Sequence, residues 1–369
     1  MSSYSRRGFL AGLAAATGAA AATLPLAKVL RPAKAGAETS HSLSRRRPKR
    51  LATLIDLAKC DGCPGESIPA CVAACRTANA DRFPEPDPEH LKDYWPQRHH
   101  EDWSDRRHLT NRLTPYNWIF VQQLNVEHKG REHEVHIPRR CMHCDNPPCV
   151  KLCPFGVLKQ EREGLTWVDS SLCMGGAKCR DVCPWSVPQR QAGVGPYTYL
   201  DPLPVGGGLM YKCDLCRDRV AEGLLPACAE GCTKGAIRIG DRDALDAEAE
   251  KLAQEYGGEL WRDHLYGRSE NGGTSTFYVS KVPFESIDTA IVRQVDRQRA
   301  QLQETDPRAA SRLTAMRMDQ APNMLDRHRG LAFASVLAPI AGAAAAFATT
   351  VSKVESKKRS PKREEPTND

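Results

Sequence analysis

Fifteen cysteines fall into four groups along this chain of 369 residues, and no other feature constrains its fold as strongly. Three groups contain a C-x2-C pair and all four end in x3-Cys. Because the total is odd, the cysteines cannot all pair as disulfides. The groups are Cys60, Cys63, Cys71 and Cys75; Cys141, Cys144, Cys149 and Cys153; Cys173, Cys179 and Cys183; and Cys213, Cys216, Cys228 and Cys232.

This spacing predicts iron–sulfur clusters. Each group is a variation on the bacterial C-x2-C-x2-C-x3-C-P run, whose fourth cysteine binds a neighbouring cluster. Thiolates are the soft ligands that such clusters select. Two alternatives remain open. Zinc sites also use C-x2-C pairs, although they do not call for the x3-Cys-Pro ending, and disulfides would suit an exported protein.

The charge distribution argues against a nucleic-acid-binding body. The net charge is +7, from 52 basic and 45 acidic residues. Residues 1–35 hold five bases and no acids, and residues 352–369 hold six bases and four acids, so residues 36–351 are neutral. A neutral body lacks the electrostatic footprint of a nucleic-acid partner. The chain also contains no GxGxxG run, phosphate loop or Ser/His/Asp elbow, so we do not expect a catalytic site of its own.

The two ends of the chain predict export and membrane anchoring. Arg6 and Arg7 precede an apolar stretch and the A-x-A site Ala33–Ala35, a pattern typical of a twin-arginine signal peptide over residues 1–35. Leu331–Val351 carries no charge over 21 residues, enough to span a bilayer once. The richer basic flank follows it. We therefore expect a periplasmic protein at the inner membrane with a single-pass C-terminal anchor; a buried Ala-rich helix is the alternative.

Between the ends, the sequence predicts a basic linker over residues 36–50, an iron–sulfur domain over 51–240 and an extension over 241–326. Residues 331–351 form the predicted transmembrane anchor and 352–369 a cytoplasmic tail. The predicted strands are Leu51–Leu57, Leu165–Asp169 and Ala236–Gly240, with a hairpin of Trp118–Leu124 and Glu132–Ile137 across Lys129-Gly130. The predicted helices are Arg242–Tyr256 and Ile291–Gln320, the latter broken at Asp306-Pro307.

Several runs carry a family resemblance. They are Cys141-Met142-His143-Cys144, Lys212-Cys213-Asp214-Leu215-Cys216, Leu225-Pro226-Ala227-Cys228, His264-Leu265-Tyr266-Gly267, Gly272-Gly273-Thr274 and Val282-Pro283-Phe284. With these runs the chain resembles the tetracluster, ferredoxin-like electron-transfer subunits of respiratory oxidoreductases. Within them it is most similar to the HybA-type iron–sulfur subunits of membrane-bound nickel–iron hydrogenases.

The resemblance implies an α+β fold of two ferredoxin-like modules that share four iron–sulfur clusters, plus one C-terminal transmembrane helix. It implies a non-catalytic subunit that carries electrons between the catalytic and small subunits of a hydrogenase and a polytopic, quinone-reactive membrane subunit. The alternative is the same role beside a molybdenum or tungsten oxidoreductase. A non-redox zinc or disulfide scaffold is the distant alternative.

The resemblance also implies how the cysteines are shared among four sites, which we name A to D. Site A takes Cys60, Cys63, Cys71 and Cys232. Site B takes Cys75, Cys213, Cys216 and Cys228. Site C takes Cys141, Cys144, Cys149 and Cys183. Site D takes Cys153, Cys173 and Cys179. His143, between two of these cysteines, is expected to lie beside a cluster rather than bind it.

Gly176 stands where a second cysteine is expected in the third group. Glycine offers no side-chain ligand, so only three thiolates remain at site D, and three thiolates suit a 3Fe–4S cluster. Respiratory nitrate reductase iron–sulfur subunits resemble this spacing. The alternative is a 4Fe–4S cluster whose fourth iron takes water or a carboxylate such as Asp181. The predicted cofactors are therefore three 4Fe–4S clusters and one 3Fe–4S cluster.

Overall fold

The computed structural model describes residues 50–94, 98–200, 206–307, 310 and 313–326. The predicted signal peptide, anchor and tail lie outside these residues, as does all of the predicted linker except Arg50. No helix in the described ranges is long and apolar enough to cross a membrane. The longest of them, Phe284–Thr305, carries charged residues along its length. The predicted localisation at the periplasmic face of the inner membrane, held by a single-pass C-terminal anchor, is thus corrected to this extent: no described helix provides a membrane span, and the predicted anchor lies outside the described residues.

The elements of the described chain are short, apart from two helices. The strands are β1 (Leu51–Asp56), β2 (Phe120–His128), β3 (Arg131–Arg139), β4 (Leu158–Gln160), β5 (Thr166–Val168), β6 (Gln189–Gln191), β7 (Leu209–Tyr211), β8 (Ile237–Asp241), β9 (Leu265–Tyr266) and β10 (Thr276–Val279). The helices are α1 (Ala70–Ala78), α2 (Pro148–Lys151), α3 (Lys178–Asp181), α4 (Arg217–Ala221), α5 (Ala227–Glu230), α6 (Arg242–Gly257) and α7 (Phe284–Thr305). This mixture of helices and strands agrees with the predicted α+β class.

A four-stranded sheet joins distant parts of the chain in the order β8-β1-β10-β9. β1 pairs antiparallel with β8 and parallel with β10, so that Leu54 lies opposite Phe277. A parallel pair cannot be closed by a tight turn. The segment that enters the first cysteine group is therefore held by a strand from far beyond the last group.

The two faces of this sheet pack against different partners. On one face, Leu54 packs in a cluster with Leu245, Ala249 and Ala253 of α6, which recur every four residues and so share one side of that helix. Asp241 caps the start of α6 by accepting a hydrogen bond from the backbone N–H of Ala244. The other face, which includes Ile55 and Tyr278, packs into the core that contains several of the cysteines.

The hairpin predicted across Lys129-Gly130 is confirmed as β2 and β3. Both turn residues have positive φ, 51° and 70°, which is the requirement of the two-residue type I′ turn. Helix α7 packs along β2, where the side-chain amide of Gln122 donates to Gln294. The helix predicted to start at Ile291 begins earlier, at Phe284 directly after Pro283. It ends at Thr305, directly before the predicted break at Asp306-Pro307.

Each cysteine group includes a short helix whose second residue is the last cysteine but one of that group. These cysteines are Cys71 in α1, Cys149 in α2, Cys179 in α3 and Cys228 in α5. The last cysteine follows four residues later in every group. One helical turn thus separates the last two cysteines of each group, as the recurrent x3 spacing predicts.

Candidate iron–sulfur sites

All fifteen cysteines are free thiols that are buried or half-buried, so the structure contains none of the disulfides that were an alternative. Four of them, Cys60, Cys63, Cys71 and Cys232, line one cavity, to which Val121 and Pro138 of the β2–β3 hairpin also contribute. These four are the cysteines expected at site A, drawn from opposite ends of the iron–sulfur domain. The described part of the chain holds no His/Cys/Asp/Glu group suited to a single metal ion.

The electrostatic neighbours of Cys75 are the other three cysteines expected at site B. Burial is the main cause that raises the pKa of Cys75, and Cys213, Cys228 and Cys216 add to it. Cys75 belongs to the first group and its neighbours belong to the fourth. Cysteines of the first and fourth groups therefore lie near one another here, and the crosswise ligand set expected from the resemblance stays a prediction.

Site C gathers cysteines from the second and third groups in the same way. Burial raises the pKa of Cys144, followed by the effects of Cys141, Cys183 and Cys149. Burial also raises the pKa of Cys149 to about 12, against the lowering effect of Lys212. A raised pKa means that burial disfavours the charged thiolate at this site. Positive charge nearby, such as iron would supply, favours the thiolate.

The three cysteines expected at site D also act on one another. Burial raises the pKa of Cys179, and Cys149, Cys173 and Cys153 add to this effect. Gly176 is exposed beside them. A Cβ built at Gly176 would meet no atom within 4 Å. The loop therefore has room for a side chain at this position, although the sequence provides none.

Electrostatic influences between individual cysteines connect the expected sites in the order A, B, C, D. Cys228 of site B acts on Cys71 of site A. Cys141 of site C acts on Cys213 of site B, and Cys149 of site C is the first cysteine to act on Cys179 of site D. We call this sequence A, B, C, D the cysteine row.

The C-x2-C loops are curled by residues in the left-handed backbone region. They include Cys63, His143, Leu215 and Cys216, with φ between 49° and 61°, a conformation uncommon for residues other than glycine. Gly175 takes the corresponding place in the third group, with φ +67°. That loop therefore keeps the curl of the others although Gly176 replaces a cysteine.

Two buried cations lie among the cysteines of sites B and C. Arg140 is 1% exposed and its Nη1 lies 3.8 Å from the Sγ of Cys213. Lys212 is 5% exposed and its Nζ lies 3.8 Å from the Sγ of Cys141. Although burial opposes it in both cases, neighbouring cysteines raise the pKa of each cation. A buried charge requires a counter-charge. The thiol sets could bind the iron of an iron–sulfur cluster, and the two cations could balance the negative charge of the thiolate-bound cluster.

His143 lies beside the cysteines, as expected, and does not join a thiol set. Its Nδ1 accepts a hydrogen bond from the backbone N–H of Thr166 at 3.0 Å, and its Nε2 lies 3.8 Å from the Sγ of Cys213. Burial, then Lys212 and Arg140, lowers the pKa of His143 well below its usual range. The neutral ring thus carries its proton on Nε2, which faces the sulfur.

Sequence reasoning missed two asparagines that donate hydrogen bonds to cysteine sulfurs. The Nδ2 of Asn271 lies 3.2 Å from the Sγ of Cys144, and the Nδ2 of Asn79 lies 3.7 Å from the Sγ of Cys75. The sequence signal for Asn271 was its place directly before the Gly272-Gly273 run, which predicts a tight turn. In the structure Asn271 also has a left-handed backbone, with φ 53°. Asn79 follows α1 and carried no signal of its own.

Two family models described as 4Fe–4S dicluster domains match residues 59–157 and 133–242. The Hydrogenase-2 operon protein HybA of Escherichia coli O157:H7 is 31% identical over 283 residues, covering 68% of this chain and 76% of the relative. This chain belongs to the HybA-type iron–sulfur subunits of respiratory oxidoreductases. Like its relatives, this HybA-type chain is an electron-transfer subunit rather than a catalytic one, and it holds multiple 4Fe–4S clusters.

Other relatives of this HybA-type chain are subunits of reductases and dehydrogenases. A tetrathionate reductase subunit of Salmonella typhimurium is 32% identical over 282 residues, covering 74% of this chain and 88% of the relative. The formate dehydrogenase-O iron–sulfur subunit of Escherichia coli is 28% identical over 243 residues, covering 63% and 67% respectively. The partners of this chain are therefore other subunits of an oxidoreductase complex.

Proposed function

We propose that this HybA-type subunit carries electrons between a nickel–iron hydrogenase and a quinone-reactive membrane subunit. The observation that carries the proposal is the cysteine row, in which thiols of each site act on thiols of the next. A row of closely spaced sites suits stepwise electron transfer across the width of a subunit. The hydrogenase assignment is supported by the similarity to HybA over 283 residues.

The residues that would hold the clusters are the four sets expected from the resemblance. Site A would use Cys60, Cys63, Cys71 and Cys232; site B, Cys75, Cys213, Cys216 and Cys228; site C, Cys141, Cys144, Cys149 and Cys183; and site D, Cys153, Cys173 and Cys179. Sites A to C would each hold a 4Fe–4S cluster and site D a 3Fe–4S cluster. When bound, such clusters accept and release single electrons at potentials set by cluster type, charge, hydrogen bonding and solvent exposure.

The chain's own residues hold the sites together and shield them from solvent. The last cysteine of each group would complete a site of another group. Groups one and four therefore could not separate without breaking sites A and B, and groups two and three could not separate without breaking sites C and D. The buried cations Arg140 and Lys212 offset the negative charge of the thiolates between sites B and C. Asn271 and Asn79 donate hydrogen bonds to thiol sulfurs at sites C and B.

The test is purification of the intact complex through a tag on this chain, followed by identification of its partners and metals. We expect co-purifying nickel and hydrogen-dependent reduction of a soluble quinone analogue. Cys216→Ser should abolish quinone reduction while hydrogen still reduces an artificial dye at the catalytic partner. Quinone reduction that survives Cys216→Ser would refute the electron path.

The second candidate is the same role beside a molybdenum or tungsten oxidoreductase. It is favoured by the 32% identity to the tetrathionate reductase relative, which is similar to the identity with HybA. The same purified complex decides between the two candidates. Molybdenum or tungsten in place of nickel, without hydrogen-dependent activity, would establish the second and exclude the first.

A further inference from the structure

The expected sites A and B form one module, and sites C and D form the other. The side chains of the two buried cations, Arg140 and Lys212, each extend from one module to the other. Arg140 directly precedes Cys141 of site C, but its guanidinium lies 3.8 Å from the Sγ of Cys213, which belongs to site B. Lys212 directly precedes Cys213, but its ammonium lies 3.8 Å from the Sγ of Cys141. Each cation therefore acts on the site opposite the one that follows it in the chain.

Neutral hydrogen-bond acceptors fix both cations in position. Lys212 donates to the hydroxyl of Thr166 at 3.0 Å and to the carbonyl oxygen of Cys213 at 3.0 Å. Arg140 donates to the hydroxyl of Thr53 and to the carbonyl oxygen of Cys141 at 3.3 Å. Such acceptors orient the cations without neutralising them.

The carboxylate that acts on Lys212 does so more weakly than the cysteines. Cys141, Cys149 and Cys213 precede Asp214 among the groups that act on Lys212. Asp214 is itself paired with Arg82 at 2.8 Å. Within the described residues, neither Arg140 nor Lys212 forms an ion pair with a carboxylate. Their positive charge is therefore left to act on the sulfur sites.

We propose that Arg140 and Lys212 are positioning residues that raise the reduction potentials of sites B and C, each acting on the opposite site. The inference rests on the proposed function, because it requires clusters at both sites. Reduction adds a negative charge to a cluster, and a fixed cation in a medium of low dielectric constant stabilises that charge. The middle of the cysteine row therefore accepts electrons more readily than it would without the two cations.

The experiment is a redox titration of the full-length protein followed by electron paramagnetic resonance. Arg140→Met should lower the midpoint potential of site B, and Lys212→Met that of site C. Each shift should correspond to at least a tenfold change in the reduction equilibrium constant, about 59 mV for one electron. Signals are assigned to the two sites with Cys216→Ser for site B and Cys144→Ser for site C.

Five further variants test whether charge at these two positions sets the potentials. Arg139→Met removes a neighbouring buried arginine, 3% exposed, for which the structure gives no sulfur contact, and should leave both potentials unchanged. Arg140→Lys and Lys212→Arg keep the charge and should keep most of the potential. If the Met variants do not assemble, Arg140→Gln and Lys212→Gln remove the charge and keep a polar group, and the same shifts are expected.

The outcomes distinguish this inference from the proposed function. Variants with normal iron content and unchanged potentials would overturn the inference and leave the proposed function standing. Equal shifts in Arg139→Met would also overturn it, because a contact with the sulfurs would then not be what sets the potentials. Shifts at the same-module site instead of the opposite one would overturn the crosswise assignment. A wild-type protein without iron–sulfur signals would refute the proposed function itself.

Discussion

Gly176→Cys should convert site D from a three-iron to a four-iron site. The substitution supplies the missing thiolate at an exposed position where a Cβ meets no atom within 4 Å. The φ of Gly176 lies outside the left-handed region, so a side chain causes no backbone strain there. Replacing a glycine in such a conformation changes the free energy of unfolding by no more than about 1 kcal/mol, chiefly through the unfolded chain.

The neighbouring glycine provides a matched control. Gly175 has φ +67°, and a Cβ there would lie 2.4 Å from the carbonyl oxygen of Gly208. The left-handed backbone alone costs about 1–2 kcal/mol for a residue with a side chain, and the contact with Gly208 adds to that cost. Gly175→Cys should therefore destabilise the loop and lose iron from site D.

Iron analysis and electron paramagnetic resonance measure the result. Three 4Fe–4S clusters and one 3Fe–4S cluster give about fifteen iron atoms per chain, and Gly176→Cys should raise this to about sixteen. The paramagnetic signal of the oxidised three-iron cluster should disappear from the mildly oxidised sample. A three-iron site D is refuted if the wild-type protein already contains sixteen irons and lacks that signal. If Gly175→Cys and Gly176→Cys behave alike, position 176 is not where the missing thiolate belongs.

Contacts around sites C and D lead to three more expected outcomes. Cys183→Ser should disturb a four-iron signal and spare the three-iron one, because Cys183 acts on Cys144 and Cys149 of site C; loss of the three-iron signal alone would contradict this. Asn271→Gly keeps a backbone that tolerates φ 53° but removes the hydrogen-bond donor to Cys144. The potential of site C should therefore fall in a redox titration while the melting temperature changes little. An unchanged potential would count against a role of this hydrogen bond. Anaerobic removal of iron should lower the melting temperature measured by circular dichroism, because an uncompensated buried charge costs about 3–5 kcal/mol; apoprotein as stable as holoprotein would rule out the charge argument.

Local elements were predictable where the sequence contains local signals. The turn residues Lys129 and Gly130 predict the β2–β3 hairpin, and the four-residue recurrence of Leu245, Ala249 and Ala253 agrees with a helix over Arg242–Gly257. The pairing of β1 with β10 was not predictable in this way. Its register depends on side chains that meet only after more than 200 residues of intervening chain have folded.

The cysteine sets could be expected from the resemblance, but the residues that surround the sulfurs could not. Arg140 and Lys212 each precede a C-x2-C pair, and nothing local to either sequence indicates that the side chain reaches the opposite module. Their direction depends on how the two modules face one another. The contact of Asn271 with Cys144 likewise joins residues 127 positions apart.

The pairing of β1 with β10 also has a consequence for the order in which the protein matures. Ribosomes release the chain from its N-terminus, so all cysteines of sites C and D have emerged once Cys183 is out. Site A must wait for Cys232 and site B for Cys228. Strand β10, which pairs with β1 just before the first group, is complete only at Val279. We therefore expect the C–D end of the row to be metallated first, and nascent chains halted between residues 183 and 228 to accumulate in a half-loaded form.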